Sequence, residues 1–379
     1  MSQTRSSFGT RLRNLREAAG LSQTAFGRII CYHPSLISKI ETGVEHPSRM
    51  FAQRADEALD ADGSLLALAG PVRLTPDDDE RLILAARTPS RVDPAVVESL
   101  GTVLAGQRLV DDIMGSGPLL RPVTAQLATV ERLVTDARGP VRPLMLRCAQ
   151  QWAQFAGWLH LSAGKPDAAR HWFATGMEWA TEIADKNMLA TVLSFRGHAA
   201  WLAGQVGPTI SLSAAARRMP GVFAGQLAYD AQQEARGHAM AGDRQTAERL
   251  CEQAAELADS ERAGLEYAPP WQYYRSPSFF ALERGLVYRY LGRDHPLDNQ
   301  RAIDLLRSGL DGLPAAMRSS EWCGEYLYHL ALAHLQAGDH TEAGTVLTDM
   351  EAISSATRAA PLVAKTRTLR RHLHSLPQP

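Results

Sequence analysis

Cysteine is scarce in this 379-residue chain, and its four copies, Cys31, Cys148, Cys251 and Cys323, lie far apart with no C-x-x-C pair. That spacing supports neither a thiolate zinc site nor a disulfide framework. Each cysteine falls in a helical pattern and reads as a small buried side chain. Long apolar runs are missing as well. Met1 to Thr10 is polar, and no stretch reaches the length of a membrane span, so we expect no signal peptide, no membrane association and a cytoplasmic location. The signatures of catalysis are also absent: H-E-x-x-H, G-x-S-x-G, the phosphate loop G-x-x-x-x-G-K-[ST] and G-x-G-x-x-G do not occur. His329 and His334 are five residues apart and share no helix face, and the paired acids Asp111 and Asp112 end a helix without needing chemistry. No enzyme, cofactor or metal site is expected.

What is present fills ordinary cores. Apolar residues make up 45% of the chain, and its length suits two or three domains. The net charge of −1 hides a polar asymmetry. Up to Arg54 the chain carries Arg5, Arg11, Arg13, Arg16, Arg28, Lys39, Arg49 and Arg54 against Glu17, Glu41 and Glu45. A local excess of this sign is the footprint of phosphate contact.

The stretch Leu21 to Gly43, LSQTAFGRIICYHPSLISKIETG, reads as two short helices joined by a turn. Ser22 offers an N-cap to the first, with Ala25, Phe26 and Ile29 as its buried stripe. His33 opens the second, Pro34 suits its first helical position, and Gly43 supplies the positive φ that ends it. Leu36, Ile37 and Ile40 alternate with Ser35, Ser38 and Lys39, so one face is apolar and the other polar. LSQ, then S-x-I-S-K-I-E-x-G, then Pro47, resembles the Cro/CI-type or XRE-type helix-turn-helix of bacterial and phage repressors, whose second helix lies in the major groove. The resemblance implies that His33 caps the second helix, that Pro34, Ser35 and Lys39 face base edges, that Gln23 faces a phosphate and that Ser38 flanks the groove. Tyr32, Ile37 and Ile40 hold the unit together in this reading, and Arg28 and Arg49 are further candidate DNA contacts. Because His33 and Pro34 offer little base hydrogen bonding, specificity falls to Ser35, Lys39 and the shape of the DNA.

Around this motif, Phe8, Leu12 and Leu15 form the stripe of an opening helix, with Arg11, Arg13 and Arg16 on other faces, which read as solvated, the alternative being contact with the DNA backbone. Ser48 caps a later helix with Met50, Phe51, Ala55, Ala58 and Leu59 inward, and Leu65, Leu66 and Leu68 close the core. A connector from Gly70 to Pro94 contains the cap-like string Thr75 to Glu80. A long helix from Asp93 to Met114 follows, with Val96, Val97, Leu100, Val103, Leu104, Leu109, Val110 and Ile113 as repeated apolar contacts. Another runs from Pro122 to Ala137.

Beyond Leu144 a weak repeat appears: a small residue inside a first helix, a glycine at the turn, then an alanine and an apolar residue four further on. Gly157, Gly164, Ala169 and Phe173 fit it. Gly197, Gly204, Thr209 and Ser213 fit less well; Ala235, Gly242, Ala247 and Cys251 fit, as do Gly285, Gly292, Ala302 and Leu306, and Ala331, Gly338, Ala343 and Leu347. With the turn strings GKPDAA, GDRQTA and GDHTEA, this resembles a degenerate array of tetratricopeptide repeats, which stack into a solenoid with a concave face. Repeat positions nominate Gln151, Gln154, Trp158, His198, Trp201, Gln232, Arg236, Arg289 and Tyr328 as groove residues. Trp271, Tyr273, Tyr274, Phe279 and Phe280 form one wall or seal two repeats. A Cro/CI-type head followed by such repeats resembles the peptide-pheromone receptors of Gram-positive bacteria and similar actinobacterial regulators. The groove asparagines of those receptors have no counterpart, because Asn14, Asn187 and Asn299 all lie off the nominated positions.

The expected protein is all-α: a five-helix DNA-binding head (1–70), a connector (71–94), a helical linker and candidate dimerisation region (95–143) and a tetratricopeptide-like solenoid (144–379). Its expected function is to bind a double-stranded DNA operator as a homodimer, switched by a peptide, a small molecule or a protein partner on the repeats. The alternatives are a repeat scaffold for protein interactions and an antitoxin-like repressor controlled by a partner.

Overall fold

The structure, a computed structural model, describes residues 8–30, 32, 34–44, 47, 49–61, 63–69, 80–84, 92–262, 269–272 and 274–375. Among the described residues every regular element is helical, and no helix is long and apolar enough to cross a membrane. The chain divides into two compact units, Met1–Val103 and Leu104–Pro379.

The first unit begins with α1 (Phe8–Ala18), α2 (Gln23–Ile30), α3 (Pro34–Glu41), α4 (Arg49–Ala58) and α5 (Ser64–Leu68). Phe8, Leu12, Phe26, Ile37, Ile40, Phe51, Ala55 and Leu65 make one core. Full burial of each large side chain contributes about 1.5–3 kcal/mol. The expected stripe of α2 needs one correction. Ile29 is 54% exposed and Ile30 is buried, because the residue four after buried Phe26 lies on its face while the residue three after rotates outward. Leu65 closes the core as expected, whereas Leu68 is exposed. The expected cap at Ser48, the Met50 side chain and the string from Thr75 to Asp79 lie outside the described residues, as does Cys31.

Arg16 also departs from the expected solvated face. Its guanidinium donates to both carboxylate oxygens of Glu41, Nε at 2.5 Å and Nη2 at 2.9 Å, and through Nη1 to the Leu21 carbonyl at 2.7 Å. Gln23 Nε2 donates to the same carboxylate at 2.8 Å. Burial opposes ionisation of Glu41, but these donors outweigh it and hold its carboxyl below the usual range. The two helices come this close because Gly9 on α1 has no side chain: a Cβ there would sit 2.2 Å from the Ile40 carbonyl oxygen.

Helix α6 (Pro94–Met114) starts with the Asp93 carboxylate accepting from the Val96 amide at 2.9 Å and ends at Gly115, φ +75°. Its apolar pattern holds at Val96, Val97, Leu100 and Leu104, all buried. It then inverts. Leu109 and Ile113 are 59% and 63% exposed, Val110 and Met114 are exposed beside them, and Arg108, Asp111 and Asp112 are buried. The expected contacts of Leu109, Val110 and Ile113 are therefore absent from the core, because the inward face of this last stretch carries polar groups instead.

Helix α7 (Leu120–Asp136) leads into a series of helix pairs. These are α8 (Val141–Ser162) with α9 (Pro166–Glu182), α10 (Lys186–Leu202) with α11 (Val206–Arg217), and α12 (Ala224–Met240) with α13 (Arg244–Arg262). Next come α14 (Pro277–Leu291) with α15 (Pro296–Asp311), the short α16 (Ala315–Arg318), and α17 (Cys323–Gln336) with α18 (His340–Thr357), before the closing α19 (Ala360–Ser375). Each expected repeat unit is one pair. Within pairs, the small residue of the first helix admits the second: a Cβ at Gly157 would lie 2.3 Å from the Phe173 ring and one at Gly285 would lie 2.7 Å from Leu306. Gly164, Gly204, Gly242 and Gly338 turn the chain with φ between +71° and +82°. The acids after the last two of these cap the second helices, Asp243 accepting from the Thr246 amide and Asp339 from the Glu342 amide. Between α13 and α14 the chain inserts Trp271 and Tyr274.

Two outcomes follow. Removing one partner of a buried ion pair costs about 3–5 kcal/mol, so Glu41→Ala should accelerate amide hydrogen exchange across α1–α3 in the intact protein by at least a hundredfold; unchanged exchange would show that the pair contributes nothing. Gly157→Val should overpack the α8–α9 contact and lower the unfolding midpoint of the array by about 1–3 kcal/mol equivalent in urea titration.

Candidate functional site

The second helix of the head, α3, presents its polar residues outward. Ser35 and Lys39 are exposed, and Pro34 and Ser38 are half-buried, while Ile37 and Ile40 pack inward. Ser22 caps α2 by accepting from the Ala25 amide at 3.1 Å. Gly43 ends α3 at φ +73°, its amide donating to the Ile40 carbonyl at 3.1 Å and the Val44 amide to the Lys39 carbonyl at 2.9 Å. The turn between α2 and α3 is held through Tyr32, whose ring meets Phe51 edge-on at 5.1 Å and whose hydroxyl donates to Glu98 on α6. A Cβ at Gly27 would stand 2.5 Å from the Tyr32 carbonyl oxygen, so the turn closes only on glycine. Of the residues singled out from the sequence, Gln23 has its amide nitrogen on Glu41 inside the head. His33, and the side chains of Arg28 and Arg49, lie outside the described residues.

In the array, a cavity of about 400 Å³ gathers side chains from α6, α8, α10, α12, α14, α17 and α19. Its walls are aromatic. Trp158 packs on Phe195 at 5.8 Å and on His198 at 6.3 Å, and His198 on Trp201 at 5.2 Å. Trp271, Tyr229, Phe279, Trp322 and Tyr326 complete them. Burial first, then the charge of Arg236, holds the His198 pKa down at about 3, so its ring is neutral near pH 7 and acts as one more aromatic surface.

Acidic groups punctuate these walls. Asp111 accepts from the Trp158 indole nitrogen at 2.8 Å, and Asp112 from that of Trp322 at 3.3 Å. Glu321 accepts from the Ser116 amide and hydroxyl, each at 2.9 Å. Burial, with smaller contributions from the charges of Glu321 and Asp112, pushes the Asp111 carboxyl up to about 8. Two further carboxylates are neutralised within the protein. Glu283 pairs with Arg236 at 3.2 Å and accepts from the Tyr326 hydroxyl at 2.6 Å. Glu325 meets Lys365 and His329; burial opposes ionisation there, but these two partners outweigh it and hold its pKa at about 2.

Four of the nominated groove residues, Gln154, Trp158, His198 and Trp201, line this cavity together. The other five do not. Arg236 lies behind Trp201, its guanidinium 3.9 Å from the ring centroid, and Gln232 donates to the Phe280 carbonyl at 3.0 Å. Gln151 bonds its own helix, Arg289 lies over Tyr290, and Tyr328 sits under Lys365. Of the expected aromatic wall, Trp271 and Tyr274 of the inserted stretch and Phe279 of α14 line the cavity, Phe280 does not, and Tyr273 lies outside the described residues. Asp111 and Asp112, set aside in the sequence as a helix end, are part of the lining. Arg108, Glu321, Trp322 and Lys365 escaped sequence reasoning because they belong to elements outside the first helices of the repeats, and Glu325, in the first turn of α17, because no repeat position nominates it; the one available signal was the run of polar residues on the otherwise apolar α6.

Residues 7–69 match the family described as "Helix-turn-helix domain". No curated protein sequence matches the chain. Among solved structures, PlcR of Bacillus thuringiensis, crystallised with the peptide PapR7 and DNA, is 12% identical over 96% of this chain and 99% of its own, with a TM-score of 0.30. That score is too low for the likeness to carry an argument about this chain. The family match and the geometry of α2 and α3 coincide, and the N-terminal unit of this protein contains a helix-turn-helix domain.

Proposed function

We propose that this protein is a sequence-specific DNA-binding transcription regulator that binds its operator as a homodimer and is switched by a molecule held in the cavity of its helical array. The observation that carries the reading is the outward polar face of α3, with Ser35 and Lys39 exposed on a helix anchored from behind by Arg16, Glu41 and Gln23. A recognition helix must be rigid to read bases, and this anchorage supplies rigidity from the inner side of α3. In this reading Ser35 and Lys39 meet base edges, Pro34 and Ser38 border the groove, and His33, Arg28 and Arg49 contribute at the flanks.

One helix-turn-helix spans too few base pairs for specific affinity, so two heads are required. The face we assign to the dimer contact is Leu109, Val110, Ile113 and Met114, an apolar strip exposed on α6. The coupling route in this reading is α6 itself, which carries both Glu98, the partner of the Tyr32 hydroxyl, and the cavity residue Asp111. A ligand that favours one setting of this helix shifts the population of heads competent to bind. A small amphipathic molecule suits the cavity better than a scaffold role suits it, because a concave pocket with aromatic walls and a few convergent polar groups matches a small ligand.

Gel shifts with DNA from the chain's own upstream region test the head. Lys39→Ala should weaken binding of the specific fragment by at least tenfold, about 1–3 kcal/mol, and binding of random DNA by less; equal losses would reduce Lys39 to a phosphate contact, and no retention at low salt would remove DNA binding altogether. Sedimentation tests the dimer: Ile113→Asp should convert it to monomer while leaving helicity intact, and an unchanged mass would exclude this face.

A further inference from the structure

We infer that the ligand of the array is an amphipathic organic cation, an aromatic or aliphatic body bearing an amine, guanidinium or quaternary group, seated against Trp158 and Trp322 with its charge toward Asp111 and Glu321. The inference rests on the reading of the cavity as the signal site and adds the chemistry of what fills it.

Three observations on independent features lead there. The first is a charge imbalance in the cavity lining. Glu283 is matched by Arg236 and Glu325 by Lys365, while among the described residues neither Asp111 nor Glu321 takes part in an ion pair. The remaining cationic lining residue, Arg108, directs its guanidinium over the Phe155 ring at 6.0 Å. Two carboxyl groups, Asp111 buried and Glu321 half-buried, therefore face the cavity with hydrogen-bond donors but no ion-pair partner among the described residues, an arrangement that favours an incoming cation over an anion. The second is the nature of the walls. Trp158, Phe195, Trp201, Trp271 and Trp322 present ring surfaces, and faces of such rings attract cations, most strongly when water is excluded. The neutral ring of His198 adds no positive charge to oppose one.

The third is the inverted pattern of α6. Arg108, Asp111 and Asp112 fall at helical spacings on its buried side while Leu109, Val110 and Ile113 are exposed. Packing alone would reverse that arrangement, since burying carboxyl groups costs free energy and burying leucine or isoleucine gains it. A bound cation compensates the cost at Asp111, whose raised pKa records the desolvation that the ligand-free protein carries. The groups acting on the Asp111 carboxyl are the Trp158 indole from α8, Glu321 from the segment before α17 and the Asp112 carboxylate on its own helix. Arg108, one turn earlier on the same buried side of α6, is a single cation in the lining against the three carboxyl groups Asp111, Asp112 and Glu321, and a cationic ligand redresses that balance.

Tetraphenylphosphonium and tetraphenylborate, nearly equal in size and opposite in charge, serve as probes in calorimetric titration of the full-length protein. Tetraphenylphosphonium should bind at least tenfold more tightly. Asp111→Asn and, as an independent variant, Glu321→Gln should each weaken it severalfold without weakening tetraphenylborate. Because the probe itself has no titratable proton, its affinity should rise with pH toward about 8, as Asp111 gives up its proton, and then level off. Asp111→Asn should reduce that slope. Equal or tighter binding of tetraphenylborate, equal losses for both ions in the variants, or a pH-independent affinity would overturn the inference while leaving the cavity as signal site. Binding of neither ion would overturn both, and the gel-shift behaviour of the head is read separately from either result.

Discussion

The head depends on one buried carboxylate. Glu41 ends α3, and its two oxygens collect Arg16 of α1 and Gln23 of α2, so three helices meet at a single side chain that is itself sealed from water. Helices this short have little stability alone, since nucleation costs more than a few turns return. Tertiary contact must supply it. A charged pair is an expensive way to do so, because desolvation consumes most of what attraction gains, but it fixes geometry where an apolar contact would slide. The absence of a side chain at Gly9 lets α1 approach α3 closely enough for the pair to form. Orientation of α3 is thus set from its inner end, while Ser35 and Lys39 are exposed on its outer face.

The array solves a different problem with similar means. Its helix pairs close on small residues, but between pairs the interior is unusually polar. The Gln226 carbonyl oxygen accepts from Thr191, Gln272 and Arg275 at 2.9–3.1 Å, tying α10 and α12 to the inserted stretch before α14. Arg236, fully buried, joins Gln233 at 3.0 Å to Glu283 and sits over the Trp201 ring at 3.9 Å. Networks of this kind add little net stability beside an apolar core, yet every member is costly to orphan. They hold the aromatic rings of the cavity in fixed orientation, with Trp201 bonded to the Tyr290 hydroxyl at 3.0 Å and Trp271 to Thr191 at 3.0 Å. A rigid cavity loses less entropy on binding than one that must first assemble.

Local rules were enough to read most of the elements. Ser22, Pro34 and Gly43 bounded α2 and α3 because capping and positive φ are properties of single residues and their immediate neighbours. The recurrence of small residue, glycine and apolar residue located the helix pairs, because close approach of two helices is encoded at fixed spacing within each pair. Four groove residues could be named from that spacing alone, since first helices of successive pairs repeat the same orientation.

What the chain order could not show was which distant elements share a space. Ile29 and Ile30 are equally apolar, and only the rotation of α2 against Phe26 decides between them. Arg16 looked like one of several solvated arginines until α3 delivered a carboxylate to it from 25 positions away. Asp111 and Asp112 at the end of α6 meet Trp158 of α8 and Trp322 before α17, positions 47 and 210 residues downstream. Periodicity and capping act over a turn or two of helix and are therefore written in the sequence. Charge, burial and cavity lining depend on what is packed opposite, and that is settled only when the helices have stacked.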